Sequence, residues 1–261
     1  MASISVPSNI TYREIKANLT EVTIEPCYPG YGTTIGNGLR RVLLSSLAGS
    51  AVSAVKIEGI QHEYDTIENM KEDIVEIMMN LKKLRVVSHS DEPVVLELHA
   101  KGEKEVTAGD IKKNSDVDVV NKDLVIATLT DKKAELNMEI TVKKGIGYEP
   151  IEERTVDKKE IGLMQIDSIF SPIQNVGFNI ESVRVGQRTD YEKIVLTITT
   201  DGSMTAEAAV AAAVVILQDQ FAAITTAEVN KESAKESKKK AKAAAAEAAE
   251  KAEEASEAAQ A

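Results

Sequence analysis

The order of apolar and polar positions predicts many strands and three helices. Asn9 to Lys16 and Leu19 to Glu25 alternate apolar and polar residues, the two-residue period of half-buried strands. Pro26 and Pro29 are expected to end the second strand. A glycine-rich turn at Gly30, Gly32, Gly36 and Gly38 then leads into LRRVLLSSLA, where Leu39, Val42, Leu43 and Leu47 share one helical face and Gly49 is the expected stop.

Ser50 to Glu58 reads as a strand, and Asn69 to Leu84 as an amphipathic helix with Met70, Ile74, Ile77, Met78 and Leu81 inward. Strand signals follow at Val94–Ala100, Val117–Val120, Leu124–Leu129, Leu136–Lys143, Ile161–Ile169, Val176–Val185 and Lys193–Thr199. These stretches outnumber the helices and do not alternate with them, so an α+β fold is expected rather than a doubly wound parallel sheet.

The last helix has Thr205 as N-cap and Glu207 in its first turn, where a negative charge suits the helix dipole. Its body, AEAAVAAAVVILQDQFAAI, is apolar almost all round. A lone surface helix leaves its second apolar face wet, and the simplest cover is a second copy of the chain, so a homodimer is expected.

At 261 residues the chain can bury one large core or two modest ones. Its net charge of −11 has the wrong sign for non-specific binding to phosphate backbones, so any nucleic-acid role must be local or indirect. A lone Cys27 excludes an internal disulfide and points to a reducing compartment. The N-terminus shows no secretory pattern, and the longest apolar run, Ala208 to Leu217, is ten residues. A cytoplasmic protein without a membrane span is therefore expected. From Lys231 on, 31 residues hold thirteen Ala, seven Lys and seven Glu, so the tail reads as a solvated, partly helical extension or as a partner-binding or nucleic-acid-touching segment led by Lys238, Lys239, Lys240 and Lys242.

Candidate chemistry is sparse. GYGTTIGNG follows a strand and opens a helix, with Glu58 about 20 residues on, which leaves a nucleotide-binding enzyme as the alternative to a glycine turn that lets the helix approach its neighbour. Arg41 with Leu44 one turn later is either an interface anchor or an ordinary solvated face. His62, His89 and His99 lack partners at metal-ligand spacing, Asp116 with Asp118 is a weak Mg²⁺ candidate, and no catalytic motif is visible.

EPCYPGYGTTIGNGLRRVLLSSLAGSAVSAVKIEGIQHEYDTIENMKEDIVEIMMNLKKL resembles the amino-terminal region of the bacterial RNA polymerase alpha subunit. The likeness resumes at VKKGIGYEP, at IDSIFSPIQNVGFNIESVRVGQRTDYEKIVLTI and at the closing helix. The resemblance implies a dimerisation domain of residues 1–49 and 172–230, split by a mainly β insert at 50–171, with 231–261 as a tail. It implies a homodimer that gathers the beta and beta-prime subunits, with omega and sigma in the full enzyme. Arg41 and Leu44 match its beta contact, and Lys82 and Ile166 its beta-prime contact. The dimer interface is expected to use Leu39, Val42, Leu43, Val210, Val214, Leu217 and Phe221. Catalytic residues and their Mg²⁺ are expected in the partner, not in this chain. Family members usually carry a further helical DNA-contacting domain; with the tail in its place, direct promoter contact is expected to be reduced. A dimeric scaffold of some other assembly is a further alternative.

Overall fold

The computed structural model describes residues 4–154 and 162–226. The strands are β1 (Asn9–Lys16), β2 (Leu19–Cys27), β3 (Ala48–Ile57), β4 (Val86–Ser88), β5 (Val94–Lys101), β6 (Lys104–Thr107), β7 (Val117–Val119), β8 (Val125–Leu129), β9 (Glu135–Ile146), β10 (Tyr148–Glu149), β11 (Leu163–Gln165), β12 (Ser168–Ile169), β13 (Ile173–Val185) and β14 (Arg188–Thr200). The α-helices are α1 (Tyr31–Ser45), α2 (Ile74–Leu81) and α3 (Ala206–Thr226). Strands dominate and few connections alternate with helices, which makes the fold α+β.

The chain up to Gln218 is one compact unit, and that from Asp219 is a second, described as far as Thr226. Within the first unit lie two apolar cores. One antiparallel sheet, in the order β1-β2-β14-β13, turns Val22, Ile24, Ile194, Leu196 and Ile198 towards α1 and the first half of α3. The inward residues alternate with Thr23, Val195 and Thr197, as the pleat requires. A larger sheet, β5-β9-β3-β4-β7 with β11 on β3, packs with α2 and the β6–β8 ribbon around Leu98, Ile126, Leu136 and Ile140.

Four local expectations are corrected. β2 does not stop at Pro26: it runs to Cys27, and the register slips where Glu192 faces Cys27 and Ile194 faces Ile24, which takes Pro26, with no N–H, out of the ladder. α1 begins at Tyr31, so Gly32, Gly36 and Gly38 lie inside the helix rather than in a turn. Gly49 does not end that helix; it lies in β3, where a Cβ would collide with the Phe170 carbonyl oxygen. Ile161–Ile169 is not one strand: β11 and β12 are separate, and Ile161 lies outside the described residues.

The helix expected over 69–84 shortens to Ile74–Leu81 for a visible reason. Asn69 has φ +61°, its carbonyl accepts the Thr130 N–H (2.9 Å), and Lys71 N–H donates to Thr128 O (3.1 Å). Glu72 accepts both the backbone N–H (2.6 Å) and the hydroxyl (2.9 Å) of Thr128. Pairing with β8 thus satisfies the polar groups that a longer helix would have used. Thr205 does cap α3, with its hydroxyl accepting the Ala208 N–H at 3.3 Å.

Candidate subunit interfaces

The glycine segment is filled from within. Gly30 turns the chain with φ +83°, and Glu192 of β14 then accepts Gly30 N–H at 2.9 Å and Gly32 N–H at 2.7 Å. A Cβ on Gly36 would stand 2.9 Å from the Phe178 ring, so its missing side chain lets α1 lie on the sheet. The helix end that could have cradled a phosphate already holds a carboxylate, whose charge would repel one. That weighs against the nucleotide-binding alternative.

The two arginines of α1 separate in role. Arg40 Nε donates to Val176 O at 3.0 Å, which ties the helix to β13. The exposed Arg41 guanidinium forms no hydrogen bond or ion pair among the described residues, and Leu44, one turn on, is half-buried. Leu39 and Leu43, expected at a dimer interface, are buried in the chain's own core and offer no side-chain surface to a second copy. Val42 is half-buried.

α3 divides likewise. Ala206, Ala209, Val210 and Ala213 face the core, so Val210 is also withdrawn from the expected interface. Val214 is exposed and Val215 is 54% exposed. Leu217 is half-buried, and a Cβ on Gly38 would meet its Cδ1 at 3.9 Å, so the two helices lie side by side there. Within the second unit, Phe221 is 64% exposed. Among the described residues Ala206–Thr225 is long and apolar enough to cross a membrane by length and composition alone, although a sequence-based reading expected no such stretch. In its first half Ala206, Ala209, Val210 and Ala213 pack into the chain's own core.

The second expected contact pair also divides. Lys82, just past α2, bonds Asp167 Oδ2 at 3.0 Å and stands 5.8 Å from the centre of the Tyr148 ring. Asp167 also accepts the Ile151 N–H at 3.1 Å, and the Lys82 ammonium, followed by that N–H, holds its carboxyl below the usual range. Ile166, by contrast, is buried in the larger core and cannot meet a partner through its side chain.

Sequence reasoning missed Glu192, Asp167 and Arg154. Each acts on residues distant in sequence, and no local pattern marks such a pairing. Among the described residues no three His, Cys, Asp or Glu side chains converge as metal ligands. Asp118 is 2.9 Å from His89 Nε2 instead. Lys238, Lys239, Lys240 and Lys242 lie outside the described residues.

Residues 55–171 match the family model of the RNA polymerase Rpb3/RpoA insert domain. The chain is 47% identical over 210 residues to the DNA-directed RNA polymerase subunit alpha of Alkaliphilus oremlandii, covering 80% of this chain and 66% of that relative. It is 50% identical over 198 residues to that of Symbiobacterium thermophilum, covering 76% of this chain and 62% of the relative. The corresponding subunit of Desulfitobacterium hafniense is 46% identical over the same length. The chain thus spans slightly less than two thirds of the relatives it matches. With the α+β fold and an insert that keeps its own core, the chain belongs to the bacterial RNA polymerase alpha-subunit family.

Proposed function

We propose that this chain is a non-catalytic assembly subunit of DNA-directed RNA polymerase. Two copies dimerise through α1 and α3, and the pair gathers the beta and beta-prime subunits into the transcribing core, later joined by omega and sigma. On this reading residues 1–49 and 172–230 form the dimerising domain, 50–171 the insert, and the polymerising site with its Mg²⁺ belongs to a partner, in the cytoplasm.

The observation that carries the reading is the two-sidedness of α3. Ala206, Ala209, Val210 and Ala213 are spent on the core, while Val214 and the 54% exposed Val215 remain uncovered on a helix with no charged residue between Glu207 and Asp219. Burying one such side chain fully is worth about 1.5–3 kcal/mol, and a twofold axis doubles every contact. Arg41 with Leu44 then supplies the beta contact, and Lys82 the beta-prime contact. One sequence serves two partners because each large subunit selects a different face of the pair.

Sedimentation of the purified chain, followed by mixing with purified beta and beta-prime, tests the proposal. A dimer that takes up one copy of each large subunit is the expected result. A stable monomer, or a dimer that binds neither, overturns it.

A further inference from the structure

We propose that the cleft between the β1–β2 end of the smaller sheet and the start of α3 binds a short aliphatic diamine, held by Glu14, Glu207 and Thr200. The site is independent of the assembly role proposed above.

The floor of the cleft follows from strand register. Glu14 faces Thr20 and Thr20 faces Ile198, while Tyr12 faces Val22 and Val22 faces Leu196. Leu196 and Ile198 are buried in the core shared with α3, so pairing and pleat put Tyr12, Glu14, Thr20 and Thr200 on that same side of the sheet. With Met204 and Glu207 at the start of α3, these side chains line a cleft of about 390 Å³.

Two observations point to a ligand and to its charge. Thr200 is 6% exposed and its backbone N–H donates to Asn18 O at 2.8 Å, yet its hydroxyl makes no hydrogen bond among the described residues. A buried hydroxyl lining a cleft without a partner is a contact waiting for one. Glu14 and Glu207 are exposed, and neither forms an ion pair among the described residues. Their two negative charges outweigh the roughly half unit of positive charge at the start of α3, so the cleft attracts cations. Burial, and after it Glu207, raise the Tyr12 phenol above its usual range, which keeps it neutral and leaves its ring as a face for a cation.

The walls also select the kind of cation. A divalent metal ion takes about six or more oxygen ligands, and two carboxylates in so wide a cleft leave it mostly hydrated. An ammonium group has three N–H donors, which a carboxylate and a neighbouring hydroxyl share. One carboxylate on the strand wall and one on the helix wall call for two such groups. The Tyr12 ring and Met204 offer apolar surface to the methylene chain that joins them.

Isothermal titration calorimetry of the full-length chain with 1,4-diaminobutane tests the site, at about pH 7.5, where carboxylates are ionised and amines protonated. Glu14→Gln, which leaves α3 untouched, is expected to raise Kd about tenfold, and Thr200→Val about threefold, with neither thermal midpoint lowered. Butylamine, which carries one ammonium group, should bind about tenfold more weakly than the diamine. Absence of binding by the wild-type chain at about 10 mM diamine overturns the site. So does an unchanged Kd in Glu14→Gln or equal affinity for butylamine. Displacement of the diamine by an equal concentration of Mg²⁺ marks a metal site instead, and overturns the proposal as well.

Discussion

Glu192 on β14 and Gly32 in the first turn of α1 are 160 residues apart in sequence and bonded at 2.7 Å. The other carboxylate oxygen takes Gly30 N–H at 2.9 Å, so one side chain satisfies two of the unpaired donors at the helix start. A negative charge there also complements the helix dipole. Glu192→Ala is expected to cost about 1–2 kcal/mol, and Glu192→Gln less, because the amide still accepts one bond. Urea unfolding midpoints measure both, and an unchanged midpoint in the alanine variant rejects the cap.

Gly36 and Gly38 should respond oppositely to the same substitution. Replacing an exposed mid-helix glycine with alanine gains about 1 kcal/mol from backbone entropy. At Gly36 the new Cβ would be 2.9 Å from the Phe178 ring, so helix and sheet must separate, and a net loss of about 1–3 kcal/mol is expected. At Gly38 the nearest atom is Leu217 Cδ1 at 3.9 Å, an ordinary contact, so Gly38→Ala should keep the propensity gain. Equal shifts in the two unfolding midpoints would contradict close approach at Gly36.

The strands were legible because their pattern reports burial on one face: Ile194, Leu196 and Ile198 are buried between half-buried neighbours. The start of α3 was legible from Thr205. The glycine segment was not, because glycine is as common in turns as at close helix approaches, and only Phe178 and Glu192, which are remote in sequence, decide between them. The end of the 69–84 pattern failed similarly: Met70 has helical spacing to Ile74 but bridges to Leu129. At the candidate contacts, residue type and period identified Arg41 as an exposed cation, whereas Lys82 was marked by the family resemblance alone. They could not show that Leu39, Leu43, Val210 and Ile166 are consumed by the chain's own cores, since an apolar face reads the same whether it meets its own fold or a second chain.

Arg154 should be among the least replaceable residues of the insert. Its side chain is 10% exposed, and it joins Ser53 O, the Ser168 hydroxyl and Glu149 Oε2 (3.4 Å). Arg154→Met keeps much of the volume but removes the bonds to Ser53 O and the Ser168 hydroxyl; Glu149 keeps Lys143 at 2.6 Å and Ser53 O keeps the Ile166 N–H at 2.9 Å, so a loss of about 1–3 kcal/mol is expected. Lysine offers one charged point where three acceptors wait, and should recover only part of it. Thermal unfolding of the three proteins checks the order wild type, Lys, Met.

Asp167 links the insert's stability to pH. Its carboxyl titrates below the usual carboxylate range, chiefly through the Lys82 ammonium, and so below its value in the unfolded chain. A depressed folded-state pKa contributes stability that is complete above the unfolded value and lost as pH falls through the folded one. Asp167→Asn should therefore lower stability near neutral pH and flatten the acid limb below about pH 4. Unfolding free energies across that range measure the slope, and parallel curves for the two proteins would show that the Lys82 pair contributes nothing.

Val215→Glu separates dimerisation from folding. Val215 is 54% exposed in the single chain, so a glutamate there stays hydrated in the protomer and its stability should shift by no more than about 0.5 kcal/mol. In a twofold pair the same change places a carboxylate from each copy in an apolar contact, where desolvation and like-charge repulsion act together. A rise in the dimer dissociation constant of about 100-fold, or about 2.7 kcal/mol, is expected. Ala213→Leu behaves differently, because Ala213 is fully buried in its own core and the larger side chain strains the protomer itself. Sedimentation over a concentration series resolves the two. If Val215→Glu dimerises with the wild-type constant, the exposed half of α3 meets no second copy, and the two-sided character of that helix has another cause.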